Sequence, residues 1–164
     1  MMKRDLFNSF FHFGYITKDI DAACDIYTKK FGAKFKIYTP KVNLDNISPV
    51  QHIAFSYIGN TMIKIIEPDL AQNSIFNEYV VENPKVIRLH HLGYLMMNDY
   101  QKTLKQLGWN LEYDIPLKGN FENLWEFAYA DTRKDFGHYT EFIQLDEVGK
   151  DFLADIPGIK KAMF

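Results

Sequence analysis

Two copies of one short motif divide this sequence into halves. The first copy is Phe11-His12-Phe13-Gly14-Tyr15 and the second is His90-His91-Leu92-Gly93-Tyr94. Each copy is followed, near the end of a later apolar segment, by a lone glutamate: Glu67 lies 55 positions after His12, and Glu141 lies 50 positions after His91. A duplicated unit that supplies a histidine and a carboxylate twice predicts a symmetric pair of halves that build one metal site.

The same order of predicted elements follows each copy of the motif. In the first half, a strand over residues 10–17 leads to a helix over about 20–31, which Asp19 caps and Gly32 ends. Strands over 34–38, 51–58 and 61–67 follow, and Gly59-Asn60 is a two-residue hairpin signal. The second half is predicted to contain a strand over 91–97, a helix capped by Asp99 and ending at Leu107, and strands over 110–115, 125–130 and 139–145. The pattern is βαβββ twice.

This pattern predicts an α+β fold in which two tandem βαβββ modules form a cupped mixed sheet with helices on its convex side. A chain of 164 residues is most simply one domain. We expect a single domain over residues 1–164, with module one at about 8–68, a linker helix at about 74–83, module two at about 88–146 and a C-terminal tail at 147–164. The tail is expected to form a short helix before Pro157.

Strand register predicts which side chains share a face. If Gly59-Asn60 forms the hairpin turn, His52 lies opposite Glu67, and Glu126 precedes Glu141 by the same 15 positions. Small and polar side chains at 52, 54, 56, 126, 128 and 130 then alternate with aromatic or large apolar ones. We expect the small and polar face to be concave and to hold the site, and the aromatic face to pack against the helices.

Composition excludes several function classes. The net charge of −2, without a basic cluster, argues against a nucleic-acid partner, and 47% hydrophobic with 24% charged residues is typical of a globular protein. The single cysteine, Cys24, excludes an internal disulfide. The N-terminus is a poor signal peptide and no apolar stretch has membrane-spanning length, so we expect a cytoplasmic protein with no membrane partner.

The repeated histidines and glutamates predict a metal site. Glu141 lies among apolar residues of a predicted buried strand, where a lone carboxylate is costly unless it is paired or ligating. His12, Glu67, His91 and Glu141 are therefore expected to bind one divalent ion per chain, and two imidazoles with two carboxylates suit Zn, Ni, Co, Mn or Fe. His90 and His138 have the opposite strand parity and are expected to be structural. Residues 131–135 are expected to form a solvated turn, from which Arg133 could reach an anionic substrate.

These motifs resemble the vicinal oxygen chelate superfamily, the glyoxalase, bleomycin-resistance and extradiol dioxygenase group. The resemblance covers about residues 8–146. It rests on residues 12–15, the Asp-capped helix ending in Phe31-Gly32, Glu67 before Pro68, residues 89–94 and residues 136–141. Within the superfamily the chain looks most similar to the methylmalonyl-CoA epimerase and glyoxalase I-like branch. The resemblance implies a glyoxalase-like fold with the same four metal ligands. The epimerase pattern usually has glutamine in place of Glu67, and its catalytic glutamate would fall near Gln51 or His52, neither of which is a carboxylate.

The predicted function follows from this site. A divalent ion that coordinates two oxygens of a carbonyl-containing small molecule stabilises the enediolate. This enediolate forms when the carbon next to the carbonyl loses its proton. The candidate bases are Glu67, Glu141, His52 and Glu126. We therefore expect a metal-dependent isomerase, epimerase or lyase that forms a homodimer, as related proteins often do. The alternatives are an Fe(II) extradiol-type dioxygenase and a non-catalytic protein that sequesters an antibiotic or another small molecule.

Overall fold

Eight strands form a mixed sheet in the computed structural model, which describes residues 9–41, 48–96, 101–102, 105 and 113–158. The strands are β1 (Phe10–Ile16), β2 (Lys36–Tyr38), β3 (Val50–Ile58), β4 (Thr61–Pro68), β5 (Arg88–Leu95), β6 (Leu117–Phe121), β7 (Trp125–Ala130) and β8 (Tyr139–Leu145). The described helices are α1 (Ile20–Phe31), α2 (Arg133–Phe136) and α3 (Glu147–Ala154). The hydrogen-bonded strand order is β2-β3-β4-β1-β5-β8-β7-β6. The predicted α+β fold with a mixed sheet is confirmed.

The chain divides into two compact units. One unit combines Phe13–His90 with the residues from Asp155 onward, and the other combines the residues up to His12 with His91–Ala154. The boundaries fall inside β1 and inside β5, so His12 belongs to the same unit as His91 and strands β6 to β8. No helix in the described ranges is long and apolar enough to cross a membrane.

Helix α1 forms where the sequence predicts it. Its N-cap, Asp19, accepts a hydrogen bond from the Ala22 N–H at 2.9 Å, and Gly32 ends it in the left-handed conformation with φ of 68°. The helix buries Ile20, Ala23 and Cys24 against Ala54 of β3 and against Ile63 and Ile65 of β4. The predicted assignment of faces is therefore wrong in this unit, because α1 packs on the face of Ala54 and not on the aromatic face of Phe55 and Tyr57. The small side chain of Ala54 lets the helix approach the sheet.

The β3–β4 hairpin has the predicted register. Ile58 pairs with Thr61 across the turn, and His52 lies opposite Glu67. A register irregularity lies between Val50 and His52, and Val50 pairs with Pro68 beyond it. The tight two-residue turn fixes this alignment, since a two-residue loop leaves no freedom for slippage.

Two predicted elements differ in the structure, and a third lies largely outside the described residues. The linker helix expected at 74–83 is a single 3-10 turn at Asn77–Tyr79, because the Ser74 hydroxyl accepts from the Phe76 N–H and donates to the Asn77 side chain, which competes with helix formation. The strand expected at 34–38 begins only at Lys36. Of the helix expected from Asp99 to Leu107, only positions 101, 102 and 105 are described, and these are helical. The predicted C-terminal helix is confirmed as α3.

The end of the second half has a different register from the one predicted. Residues 113–115 of the strand expected at 110–115 have no regular structure, and its other positions lie outside the described residues. The strand in this region is β6. Its hairpin turn contains Glu122 and Asn123, whose φ angles are 47° and 59°. The expectation that Glu126 shares the face of the site is wrong. Glu126 lies opposite Gln144, and Tyr129 lies opposite Glu141, because α2 lengthens the connection between β7 and β8.

Candidate metal centre

Three of the predicted ligands converge within one compact unit. His12 comes from β1, His91 from β5 and Glu141 from β8. Their side chains are 0%, 0% and 1% exposed. The Glu141 Oε2 atom lies 2.9 Å from His12 Nε2 and 3.1 Å from His91 Nε2, and the two Nε2 atoms are 3.2 Å apart.

Local sequence explains why these side chains meet. Strand β5 runs parallel to β8, with Gly93 in register with Glu141. A Cβ atom at position 93 would lie 1.9 Å from His12 Cε1, so the imidazole of His12 occupies the space that a side chain there would need. The glycine of the repeated motif is therefore required by the close approach of the His12 ring to the backbone of β5.

Tyr129 is a site residue that the sequence reasoning missed. It is 2% exposed, its hydroxyl is hydrogen-bonded to Glu141, and its ring packs edge-on against His91 with centroids 5.0 Å apart. Burial raises the pKa of Tyr129 well above its ordinary value, and the charge of Glu141 and the hydrogen bond to it act in the same direction. A correct β7–β8 register would have placed this tyrosine beside Glu141 from the sequence alone.

The donor set fits a divalent cation. Three atoms that carry lone pairs point at one another at about 3 Å inside a buried environment, where mutual repulsion is costly unless protons or a cation separate them. Neighbouring ligands of a six-coordinate ion with bonds of about 2.1 Å lie about 3.0 Å apart. The measured separations of 2.9, 3.1 and 3.2 Å match that spacing.

Glu67 lies in the other compact unit and has a partner there. Its Oε2 atom accepts a hydrogen bond from the Ile20 N–H at 2.9 Å, at the first turn of α1. A carboxylate at a helix N-terminus satisfies a backbone donor and interacts favourably with the helix dipole. The role of Glu67 as a fourth metal ligand stays a prediction.

The remaining candidates are not members of the three-residue cluster. His52 is partly buried, and its Nδ1 atom lies 2.8 Å from the Thr39 hydroxyl. Glu126 is exposed and, by strand alternation, points to the face of β7 opposite Tyr129. Arg133 forms a bidentate pair with Asp131, at 2.8 and 2.7 Å.

Two more histidines are bonded to the backbone. His90 is buried, with Nε2 3.2 Å from the Ile75 carbonyl oxygen, and the Nδ1 atom of His138 lies 2.7 Å from the Tyr139 carbonyl oxygen. These contacts agree with the structural roles expected for both.

Comparison with known proteins identifies the family. Residues 9–150 match the model of the Glyoxalase/Bleomycin resistance protein/Dioxygenase superfamily. The chain belongs to this superfamily. The predicted resemblance and the glyoxalase-like fold are thereby confirmed. No curated protein sequence matches the chain significantly.

Solved structures of the same fold include several methylmalonyl-CoA epimerases. The enzyme from Mycobacterium tuberculosis has a TM-score of 0.62 and 13% identity, with 84% of this chain and 88% of that chain covered. A variant of the Streptomyces coelicolor epimerase in complex with 2-nitronate-propionyl-CoA has a TM-score of 0.63 and 16% identity, with coverage of 84% and 96%. A hypothetical protein from Bacillus halodurans has a TM-score of 0.62 and 18% identity, with coverage of 84% and 94%. At these identities the likeness establishes the fold.

Proposed function

We propose that this protein is a divalent-metal-dependent isomerase, epimerase or lyase that removes a proton next to a carbonyl group. The observation that carries the proposal is the buried convergence of His12, His91 and Glu141. Membership of the superfamily and the epimerase structures among its structural neighbours support the same class of reaction. A bound divalent ion would supply Lewis-acid stabilisation of negative charge that develops on the carbonyl oxygen.

The candidate residues of this chain can be sorted into metal ligands and bases. Glu141 is buried beside His12 and His91 and is hydrogen-bonded to Tyr129, so it is better placed as a ligand than as a mobile base. Glu126 was expected on the face of the site, but it points away from the face of Glu141. Of the four predicted bases this leaves His52 and Glu67, which lie opposite each other on β3 and β4, and both stay candidates.

Proton exchange with solvent tests the proposal. Metal-loaded protein should exchange the proton next to the carbonyl of a substrate such as methylmalonyl-CoA, or of a glyoxalase-type hemithioacetal, with deuterium from the solvent. Replacing the true base, by His52→Gln or Glu67→Gln, should lower the exchange rate by about two to four orders of magnitude. His138→Gln is the matched control, since that imidazole is bonded to a backbone carbonyl. Absence of exchange across a panel of carbonyl substrates by metal-loaded protein would contradict the proposed reaction.

One observation favours a second candidate function. The clustered ligands are two histidines and one carboxylate, and this facial set, with other positions open, is typical of non-haem Fe(II) oxygenases. An extradiol-type dioxygenase would consume oxygen when loaded with Fe(II) and given a catechol. Metal-dependent oxygen uptake would favour this candidate, whereas proton exchange without oxygen uptake favours the isomerase or lyase.

A further inference from the structure

We propose that Tyr129 is a positioning residue of the metal centre, which fixes the Glu141 carboxylate in its ligating orientation. The inference deepens the proposed function and rests on it. It concerns a residue that contacts two of the three clustered ligands and is not itself one of them.

Strand pairing places Tyr129 directly beside Glu141. The two residues are register partners on antiparallel strands β7 and β8, so their side chains project from the same face of the sheet. Both are almost fully buried, at 2% and 1% exposure. The Tyr129 hydroxyl donates its hydrogen bond to the Glu141 side chain, which limits the orientations that the carboxylate can adopt.

The aromatic ring of the same tyrosine contacts His91. The two rings meet edge to face, with an interplanar angle of 88° and centroids 5.0 Å apart. This packing restricts the tilt of the imidazole while the hydroxyl restricts the carboxylate. One side chain therefore orients a nitrogen ligand and an oxygen ligand together.

Such outer contacts have a measurable effect on metal affinity. Hydrogen bonds to ligating groups fix their orientation, and their removal lowers metal affinity by about 10–100-fold in characterised sites. Tyr129→Phe removes only the hydroxyl and leaves the ring that packs on His91. We therefore expect this substitution to weaken metal binding while the fold persists.

The test is a titration of the full chain with Co(II), followed by visible absorption and checked by chelator competition. Tyr129→Phe should bind Co(II) about 10–100-fold more weakly than the wild type, with a changed absorption spectrum. Tyr94→Phe is the matched control, since Tyr94 is a buried tyrosine of the same unit that packs with Phe142, on the face opposite Glu141. It should bind Co(II) like the wild type.

The titration distinguishes a failure of the positioning role of Tyr129 from a failure of the proposed metal-dependent function. Equal Co(II) affinity and identical spectra in the wild type and Tyr129→Phe would overturn the positioning role and leave the metal site intact. Failure of the wild type to bind Co(II), or Zn(II) by elemental analysis, would overturn the proposed metal-dependent function and this inference with it.

The hydrogen bond between Tyr129 and Glu141 can also be tested by NMR on the wild-type protein, without any substitution. A buried hydroxyl bonded to a carboxylate should give a slowly exchanging, low-field proton resonance in the NMR spectrum. This resonance should shift when metal binds. If no such resonance exists in folded wild-type protein, the hydrogen bond that carries the inference is refuted.

Discussion

At the scale of single residues, the absence of a side chain at Gly93 leaves room for the His12 imidazole. A methyl group at this position would lie 1.9 Å from the His12 ring, so the imidazole would have to move. We expect Gly93→Ala to lower metal affinity by about 10–100-fold or more, and to destabilise the fold by about 1–3 kcal/mol, as overpacking does. Elemental analysis and thermal unfolding of the purified variant measure the two effects.

Gly119→Ala provides the control for that substitution. A Cβ atom there would lie 3.4 Å from the Phe127 ring, which is ordinary van der Waals contact. This variant should retain wild-type metal content. Full metal retention in Gly93→Ala would show that His12 is not held against β5 as the structure has it.

Cys24 gives a prediction with a defined pH window. Burial, with a smaller contribution from the charge of Asp21, raises the pKa of this thiol from 9.0 to about 12. Because the folded pKa lies above the unfolded one, the thiol contributes stability that is complete below pH 9 and is lost as pH rises towards 12. The difference in unfolding free energy between the wild type and Cys24→Ala should therefore shrink across this window. Chemical denaturation at several pH values measures it, and a constant difference would argue against a protonated, buried thiol.

At the scale of secondary-structure elements, the register of each strand pair decided how much of the site could be predicted. His12, His91 and Glu141 could be predicted because a repeated motif and a lone carboxylate in an apolar strand mark them directly. The β3–β4 pairing could be predicted because a two-residue turn fixes it.

The β7–β8 pairing could not be predicted in the same way. Its connection contains the short helix α2, and nothing in the sequence shows how many positions that helix adds to the loop. Tyr129 and Glu126 were therefore each assigned to the wrong face of β7. Likewise, the small and polar character of residues 52, 54 and 56 did not indicate that helix α1 packs on the face of Ala54.

Helix α1 and strand β4 are connected through Glu67, and this link can be tested separately from metal binding. Glu67→Ala removes the acceptor of the Ile20 N–H, and loss of such a capping interaction costs about 0.5–2 kcal/mol. Glu67→Gln keeps an acceptor oxygen and removes the charge, so its unfolding free energy should lie closer to that of the wild type. Urea denaturation measures the difference, and equal stability of the alanine variant and the wild type would contradict the capping role.

Metal content of the same glutamine variant addresses the predicted fourth ligand. Loss of metal from Glu67→Gln, as from Glu141→Gln, would support ligation by Glu67. Retained metal in Glu67→Gln alone would assign Glu67 to the capping of α1 and leave the centre with its three clustered ligands.

At the scale of the whole molecule, we predict a homodimer. Strands β2 and β6 end the sheet order, and each has a hydrogen-bonded neighbour on one side only among the described strands. Such edges are commonly covered by pairing with a second copy of the chain. Light scattering coupled to size exclusion should give twice the chain mass of 19.3 kDa. A monomer mass that does not change with concentration would contradict this prediction.

Metal binding should also determine the stability of the whole fold. An ion that binds only the folded chain stabilises it by about 2.7 kcal/mol when its free concentration is 100 times its Kd. For a chain of this length, about 1 kcal/mol shifts Tm by about 2–4 °C, so a chelator should lower Tm by about 5–10 °C. Glu141→Gln replaces the carboxylate that lies beside both imidazoles with a neutral amide, so this variant should bind little metal. It should therefore have a low Tm that the chelator does not change. If chelation strips a stoichiometric metal from the wild type without changing Tm, the ion does not bind at the buried centre of His12, His91 and Glu141.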